Sequence, residues 1–221
     1  MAARQPAQDE LPREFAVFPL SGALLLPGGR LPLNIFEPRY LAMVEDALGA
    51  GRMFGMIQPD IHAQECANGP AMYQVGCLGR VVHFSETEDG RYLITLAGVS
   101  RFWVRRELAM GRGYRRVEAD FSRFPDDMVT QKLLLGGKRA EILAALRGYF
   151  EIFGFSADWA AIEGMEDGAL IEQLAMLCPF AEDEKQALLE APGGMDRAVD
   201  LLALLRIAVH EQDQPPQTQI M

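Results

Sequence analysis

The sequence predicts an α+β chain in which a curled β-sheet carrying one packed helix comes first and a set of helices follows. Three observations support this. Apolar residues alternate with a period of two through much of residues 75–121, as half-buried strands require. Beyond Phe124-Pro125-Asp126-Asp127 the spacing changes to three to four. Ahead of the sheet proper, Glu37-Pro38 opens a segment of helical spacing, and proline suits a first helical position because its missing N–H has no intrahelical partner there.

The elements follow in order. Residues 15–20 (FAVFPL) and 31–36 (LPLNIF) read as short strands, joined by SGALLLPGG with its punctuating Pro27, Gly28 and Gly29. In the helix after Pro38, Tyr40, Met43, Val44, Ala47 and Leu48 share one face, Glu45 and Asp46 lie on another, and Gly49 and Gly51 end it. A strand at 53–58 and a polar loop, PDIHAQECANGPAM, come next. Val82 and Phe84, then Tyr92, Ile94 and Leu96, flank Asp89-Gly90, a dipeptide suited to a type I′ hairpin turn. Strands at about 101–108 and 114–121 flank Gly111 and Gly113, and glycines 76, 79 and 98 mark bulges or bends that curl the sheet.

The helical part begins with the stripe Ile142, Leu146, Tyr149 and Phe153. Three further helices are expected: 167–178, stopped by Pro179; 182–190, stopped by Pro192-Gly193-Gly194; and 195–211, with Met195, Val199, Leu202, Leu205 and Val209 at helical spacing. In that last helix Leu201, Leu204 and Ile207 widen the stripe and predict burial on more than one side. The expected division is a β subdomain over 14–124 and a helical one over 125–211, with flexible termini at 1–13 and 212–221.

Composition narrows the function. At 49% hydrophobic and 24% charged residues the chain of 221 has the makeup of a folded domain. A net charge of −10 argues against a protein that coats nucleic acid or anionic membrane. Cys66, Cys77 and Cys178 are odd in number and widely spaced, so they read as packed thiols in a reducing compartment. With no apolar leader and no membrane-length apolar run, a cytoplasmic protein is the expectation.

Catalytic and metal motifs do not assemble. Gly136-Gly137-Lys138 lacks the first glycine of a phosphate loop and has Arg139 where the metal-binding hydroxyl belongs. His62, Cys66, Cys77 and His83 lack the tight pairing of a zinc site, so no metal is expected. No serine stands beside Lys132, Lys138 or Lys185 in a nucleophile setting, and no cofactor is implied. The acids Glu86, Glu88 and Asp89 sit at a hairpin tip as solvated charge. One local exception to the acidity is SRFWVRRELAMGRGYRRV. Its six arginines (101, 105, 106, 112, 115, 116), interleaved with Phe102, Trp103 and Tyr114, could pair phosphates and stack bases. On an alternating strand, however, Arg101, Trp103 and Arg105 face opposite to Phe102, Val104 and Arg106, which divides the charge between two faces. RNA binding through Arg105, Arg106, Arg115 and Arg116 is therefore the alternative reading.

The blocks FPLSGALLLPGGRLPLNIFEPRYLAMVEDAL, FGMIQPD, VGCLGRVVHFSETEDGRYLITLAGVSRF and CPFAEDEKQALLEAP together resemble the N-terminal substrate-binding domain of the Lon protease family, over residues 14–207. The resemblance implies an α+β fold with an N-terminal curled PUA-like β pseudo-barrel and one packed helix, then a C-terminal α-helical bundle. It also implies binding of unfolded or exposed hydrophobic polypeptide, by a substrate module, an adaptor to proteolysis or a chaperone-like factor. The ATPase and Ser–Lys peptidase modules of the family are not in the 221 residues, so a non-enzymatic role is expected. For PLNIFEPRY the functional reading puts Asn34, Phe36, Glu37, Arg39 and Tyr40 on the rim of a groove for an extended peptide. A structural role outweighs it, since strand–helix junctions need such residues: Pro38 starts the helix, and Glu37 pairs with Arg39 or caps backbone N–H groups.

Overall fold

The computed structural model describes residues 10–66, 68–129 and 132–213. Six strands are present: β1 (Glu14–Pro19), β2 (Arg30–Ile35), β3 (Met53–Ile57), β4 (Val75–Glu86), β5 (Tyr92–Gly111) and β6 (Tyr114–Asp120). Their order is β2-β5-β4-β3-β1-β6, and β5 also pairs with β6. Five strands therefore close into a ring, and β2 hangs outside it as an edge. Helix α1 (Pro38–Gly49) lies on the connection to β3, which pairs parallel with β1 while the remaining ladders are antiparallel. Five helices follow: α2 (Lys138–Phe153), α3 (Trp159–Gly164), α4 (Asp167–Leu177), α5 (Glu182–Glu190) and α6 (Gly194–Asp213), preceded by a 3-10 turn at Pro125–Met128.

Ring closure depends on β5. Sequence spacing suggests separate strands on either side of Gly98, yet residues 92–111 form one strand that pairs with β2 and β4 along its first part and with β6 beyond Trp103. Register shifts between Leu78 and Gly79, Val81 and His83, Val104 and Arg106, and Leu108 and Gly111 let it change partners, because each bulge adds twist. At Gly98 an added Cβ would lie 1.9 Å from the Leu26 carbonyl oxygen, so the 20–29 connection crosses the strand where no other residue fits. That connection carries Leu24, Leu25 and Leu26 into the core, a burial that its Pro/Gly punctuation does not announce.

The two hairpin turns exchange roles with expectation. At Asp89-Gly90 only the glycine has positive φ (77°), so this is not a type I′ turn. Instead the Thr87 hydroxyl donates to the Asp89 carboxylate and, at 3.1 Å, accepts from the Arg91 N–H, holding a longer loop. The pair of left-handed residues that a type I′ turn requires occurs at Arg112 (φ 44°) and Gly113 (φ 87°), between β5 and β6.

The open edge belongs to β2. The Gly98 N–H donates to the Gly29 carbonyl (2.9 Å), and the ladder continued from there turns the backbone groups of Leu31, Leu33 and Ile35 toward β5. Those of Arg30, Pro32 and Asn34 face the other way, where Pro32 has no N–H to offer.

Two apolar clusters fill the molecule. One draws Phe15 and Val17 from β1, Ile57 from β3, Leu78 from β4, Phe102 and Val104 from β5, and Val117 and Ala119 from β6, so every ring strand contributes to it. Leu11 joins this cluster, and the Ala119 N–H reaches the Arg13 carbonyl. The larger cluster joins α1 and the ring to the helices, through Phe18, Met43, Phe54, Ile142, Leu146, Leu170, Leu174, Leu188, Leu201 and Leu205 among others. In α6 the buried apolar residues are Ala198, Leu201, Leu202 and Leu205, with Arg197 buried beside them, while Met195, Val199 and Ile207 are exposed. The predicted stripe is thus rotated part of a turn toward Ala198 and Leu201. The terminal segments expected to be flexible fall largely outside the described residues.

Candidate functional site

The end of α2 sets up the most distinctive surface. Gly154 takes the left-handed conformation (φ 68°) that closes the helix, and its N–H bonds back to the Phe150 carbonyl. Four residues later the Asp158 carboxylate accepts from the Ala161 N–H at 3.1 Å and starts α3. This short reversal leaves a cleft of about 800 Å³ between the last turn of α2, α3 and α4.

Aromatic rings build the cleft at the α2 end. Tyr149 lies 4.5 Å from Phe153, Phe150 lies 5.6 Å from both Phe155 and Trp159, and Phe153 stacks on Phe155 at 6.0 Å. Leu170, Leu174 and Cys178 are buried in its wall, whereas Leu177 and Phe155 are 76% and 45% exposed. Helix α3 is tied in place by two arginines of α2. Arg147 stacks 4.2 Å over the Trp159 ring and pairs with Glu163, and Arg139 pairs with Asp167 and donates to the Glu163 and Met165 carbonyls, both at 2.8 Å.

The cleft can bind but has little to catalyse with. Burial pushes the Tyr149 hydroxyl and the Cys178 thiol each up to about 12, so both are neutral near pH 7. Among the lining residues Asp158 is the one charged side chain, and its carboxylate is engaged in the cap. An apolar pocket with few polar groups suits side-chain capture.

The predicted peptide-rim residues lie elsewhere, at the β2–α1 junction. Asn34, Phe36 (61% exposed) and Arg39 reach solvent, and Glu37 pairs with Arg39 at 2.8 Å rather than capping the helix. Tyr40 is buried, with its ring 4.2 Å from that of Phe18, so it is a core residue and not part of a rim. The Arg91 guanidinium sits 5.8 Å from the Phe36 ring.

The arginine run is neutralised within the chain. Arg101 pairs with Asp127, Arg105 with Asp120, Arg106 with Glu118, Arg112 with Glu45 and Asp46, Arg115 with Glu107, and Arg116 with Glu14. Arg101 and Arg115 are buried, and the bulge between Val104 and Arg106 leaves Arg105 and Arg106 both exposed, which breaks the strict alternation expected of them. Cys77 and Cys178 are packed thiols as read, but Cys66 is exposed in the 59–72 loop. Among the described residues no group of three or more His, Cys, Asp or Glu is arranged to hold a metal ion, and no helix is long and apolar enough to cross a membrane.

Sequence reasoning missed the cleft because α3 has only six residues, too few for a period. A signal was present in FEIFGFSADW, where aromatic density, a helix-ending glycine and a capping aspartate fall together.

Known proteins resemble this chain in sequence and in fold. A family model, that of the ATP-dependent protease La (LON) substrate-binding domain, matches residues 14–206. Lon protease 2 of Sorangium cellulosum is 30% identical over 197 residues, which are 84% of this chain and 23% of that protein. Lon protease 2 of Myxococcus xanthus is 23% identical over 206 residues, 91% of this chain and 24% of that protein. The chain thus spans about a quarter of these curated relatives. A crystal structure of a Lon N-terminal domain protein from Xanthomonas campestris superposes with a TM-score of 0.60 at 25% identity, covering 86% of this chain and 97% of that one. The N-terminal domain of a Mycobacterium avium complex Lon protease has the same fold, with a TM-score of 0.61 at 13% identity over 87% of this chain and 98% of that one.

Proposed function

The chain belongs to the ATP-dependent protease La (LON) substrate-binding domain family, and on that premise we propose that it is a non-catalytic module whose cleft between α2, α3 and α4 captures apolar side chains of unfolded polypeptide. Leu177 carries the reading. A leucine 76% exposed on the wall of a cleft of about 800 Å³ is a surface awaiting a cover. Burying one Leu- or Phe-sized side chain there stabilises a complex by about 1.5–3 kcal/mol before ordering costs. Exposed hydrophobic groups distinguish unfolded chains from folded ones, so the cleft selects by what folding hides.

Capture by added β-strand fits less well. Pro32 removes a central donor from the open edge of β2, and backbone pairing is the source of affinity in strand addition. RNA binding is disfavoured by the in-chain acidic partners of Arg105, Arg106, Arg115 and Arg116. In the finer reading the chain is a PUA-like β subdomain over 14–124 and a helical subdomain over 125–211, the second holding the ligand, and the module serves proteolysis as an adaptor or acts like a chaperone.

The test uses Trp159, beside the cleft, as reporter in a Trp103→Phe background. Titration with a reduced and alkylated, permanently unfolded polypeptide gives a saturable fluorescence change that the same polypeptide in its folded form does not give. Phe155→Ser with Leu177→Ser removes the change while the circular dichroism of the folded protein is kept. Equal responses to folded and unfolded polypeptide, or an undiminished response in the double variant, overturn the proposal.

A further inference from the structure

Electrostatics around the cleft go beyond apolarity. Residues 132–211 hold fourteen Asp and Glu against seven Lys and Arg. The cations close to the cleft are already engaged: Arg147 with Glu163 and the Trp159 ring, and Arg139 with Asp167 and two carbonyls. Lys185, whose charge reaches Cys178, is buried and donates to the Gly22 carbonyl at 2.6 Å. The anions are not matched in this way. Among the described residues Asp158, in the cleft wall, has a backbone N–H as its one partner, and Glu184 accepts from the Ala181 N–H at 2.8 Å and pairs with no cation. Glu151, exposed in the last turn of α2, has no ion pair among the described residues either.

We infer that the cleft prefers polypeptide segments in which the apolar anchor is flanked by lysine or arginine, a basic side chain coming to rest over Asp158. The inference rests on the reading of the cleft as the polypeptide site and adds a charge rule to it. An apolar anchor seated between α2 and α4 puts its chain neighbours at the mouth, where low-dielectric aromatic walls strengthen a nearby carboxylate field. Acidic flanks meet the same field with the opposite sign, so the preference combines attraction and rejection.

Three labelled unstructured peptides with one common Phe-Leu anchor and Lys, Ser or Glu flanks test it by fluorescence anisotropy at low and high salt. The Lys-flanked peptide is expected to bind about two- to five-fold tighter than the Ser-flanked one at low salt, the range of exposed ion pairs, with the Glu-flanked peptide weaker. The gap closes at high salt and in the Asp158→Asn variant, whose side-chain oxygen still accepts from the Ala161 N–H. Equal affinity for the three peptides, with binding still abolished by Phe155→Ser and Leu177→Ser, overturns the charge rule and leaves the cleft reading standing. Binding that Phe155→Ser and Leu177→Ser do not affect overturns both.

Discussion

Nη2 of Arg101, on β5, lies 2.7 Å from Oδ1 of Asp127 in the 3-10 turn, with both side chains more than nine-tenths buried. The Arg101 Nη1 donates at the same time to the carbonyls of Leu189 (3.0 Å) and Ala191 (2.6 Å) at the end of α5. One guanidinium therefore satisfies the segment leaving the sheet and the C-terminal carbonyls of a helix far along the chain. The clasp thereby ties the end of α5 to β5, beside the larger apolar cluster.

Breaking the clasp on one side is costly because it strands the other charge. Asp127→Ala is expected to lower stability by about 3–5 kcal/mol, whereas Arg101→Met with Asp127→Leu recovers much of the loss. Urea unfolding followed by circular dichroism checks this. A single variant within about 0.5 kcal/mol of the parent contradicts the role given to the pair.

Asp120 makes part of the stability pH-dependent. Its carboxyl is held down to about 2 by hydrogen bonds from the Ser122 side chain and backbone and from Arg105. A carboxylate whose folded pKa lies below its unfolded value of about 3.9 contributes stability that is present above pH 4 and lost as pH falls toward 2. Asp120→Asn should therefore flatten the fall of the urea midpoint between pH 4 and pH 2 and lower the midpoint at pH 7. Parallel acid limbs for parent and variant would count against this carboxylate.

Thiol chemistry distinguishes the three cysteines. Burial holds Cys178 up to about 12 and raises Cys77 further, while Cys66 is exposed. Native protein at pH 8 should give one rapidly reacting thiol with a chromogenic disulfide, and denatured protein three. Cys66→Ser should remove the rapid phase.

The cleft and the β2–α1 junction make separable predictions. Leu177→Ser is expected to weaken unfolded-polypeptide binding at least several-fold at nearly constant stability, since the side chain is mostly solvent-exposed before binding. Phe36→Ser, at the exposed aromatic of the junction, should change affinity less than two-fold, a small loss for removing an interface aromatic. The reverse ranking, read by anisotropy, would move the binding surface to the junction.

RNA supplies a control on the arginine run. Each of Arg105, Arg106, Arg115 and Arg116 faces an acid of the same chain, so a labelled single-stranded RNA is expected to show no saturable binding at moderate salt. Saturable binding that the four-alanine variant loses would restore the alternative.

The sequence makes the strand and helix spans readable where local chemistry decides them. Pro38 does begin a helix, the 75–121 alternation does become sheet, and Pro179 does separate two helices. Long-range relations are hidden. Nothing local says that Arg101 will be buried by Asp127, that three leucines beside Pro27 enter the core, or that β5 continues past Gly98 to close a ring. The junction residues Asn34 to Tyr40 attract notice because they form a motif, while the cleft depends on Tyr149, Phe155, Trp159 and Leu177 meeting across three helices. Periodicity reports faces of single elements, and the cleft is a property of their arrangement.

Pro32 carries a last consequence. A protein that receives unfolded chains keeps company with the very segments that grow into cross-β aggregates, and an open row of backbone donors would seed that growth. With the middle donor of its exposed strand deleted, this chain makes a poor template. On the proposed function, its hold on a client rests on side chains seated in a pocket, which tolerates many sequences and lets go without unzipping a ladder. On that reading, handling sticky cargo without becoming part of the deposit is written into one ring of one residue.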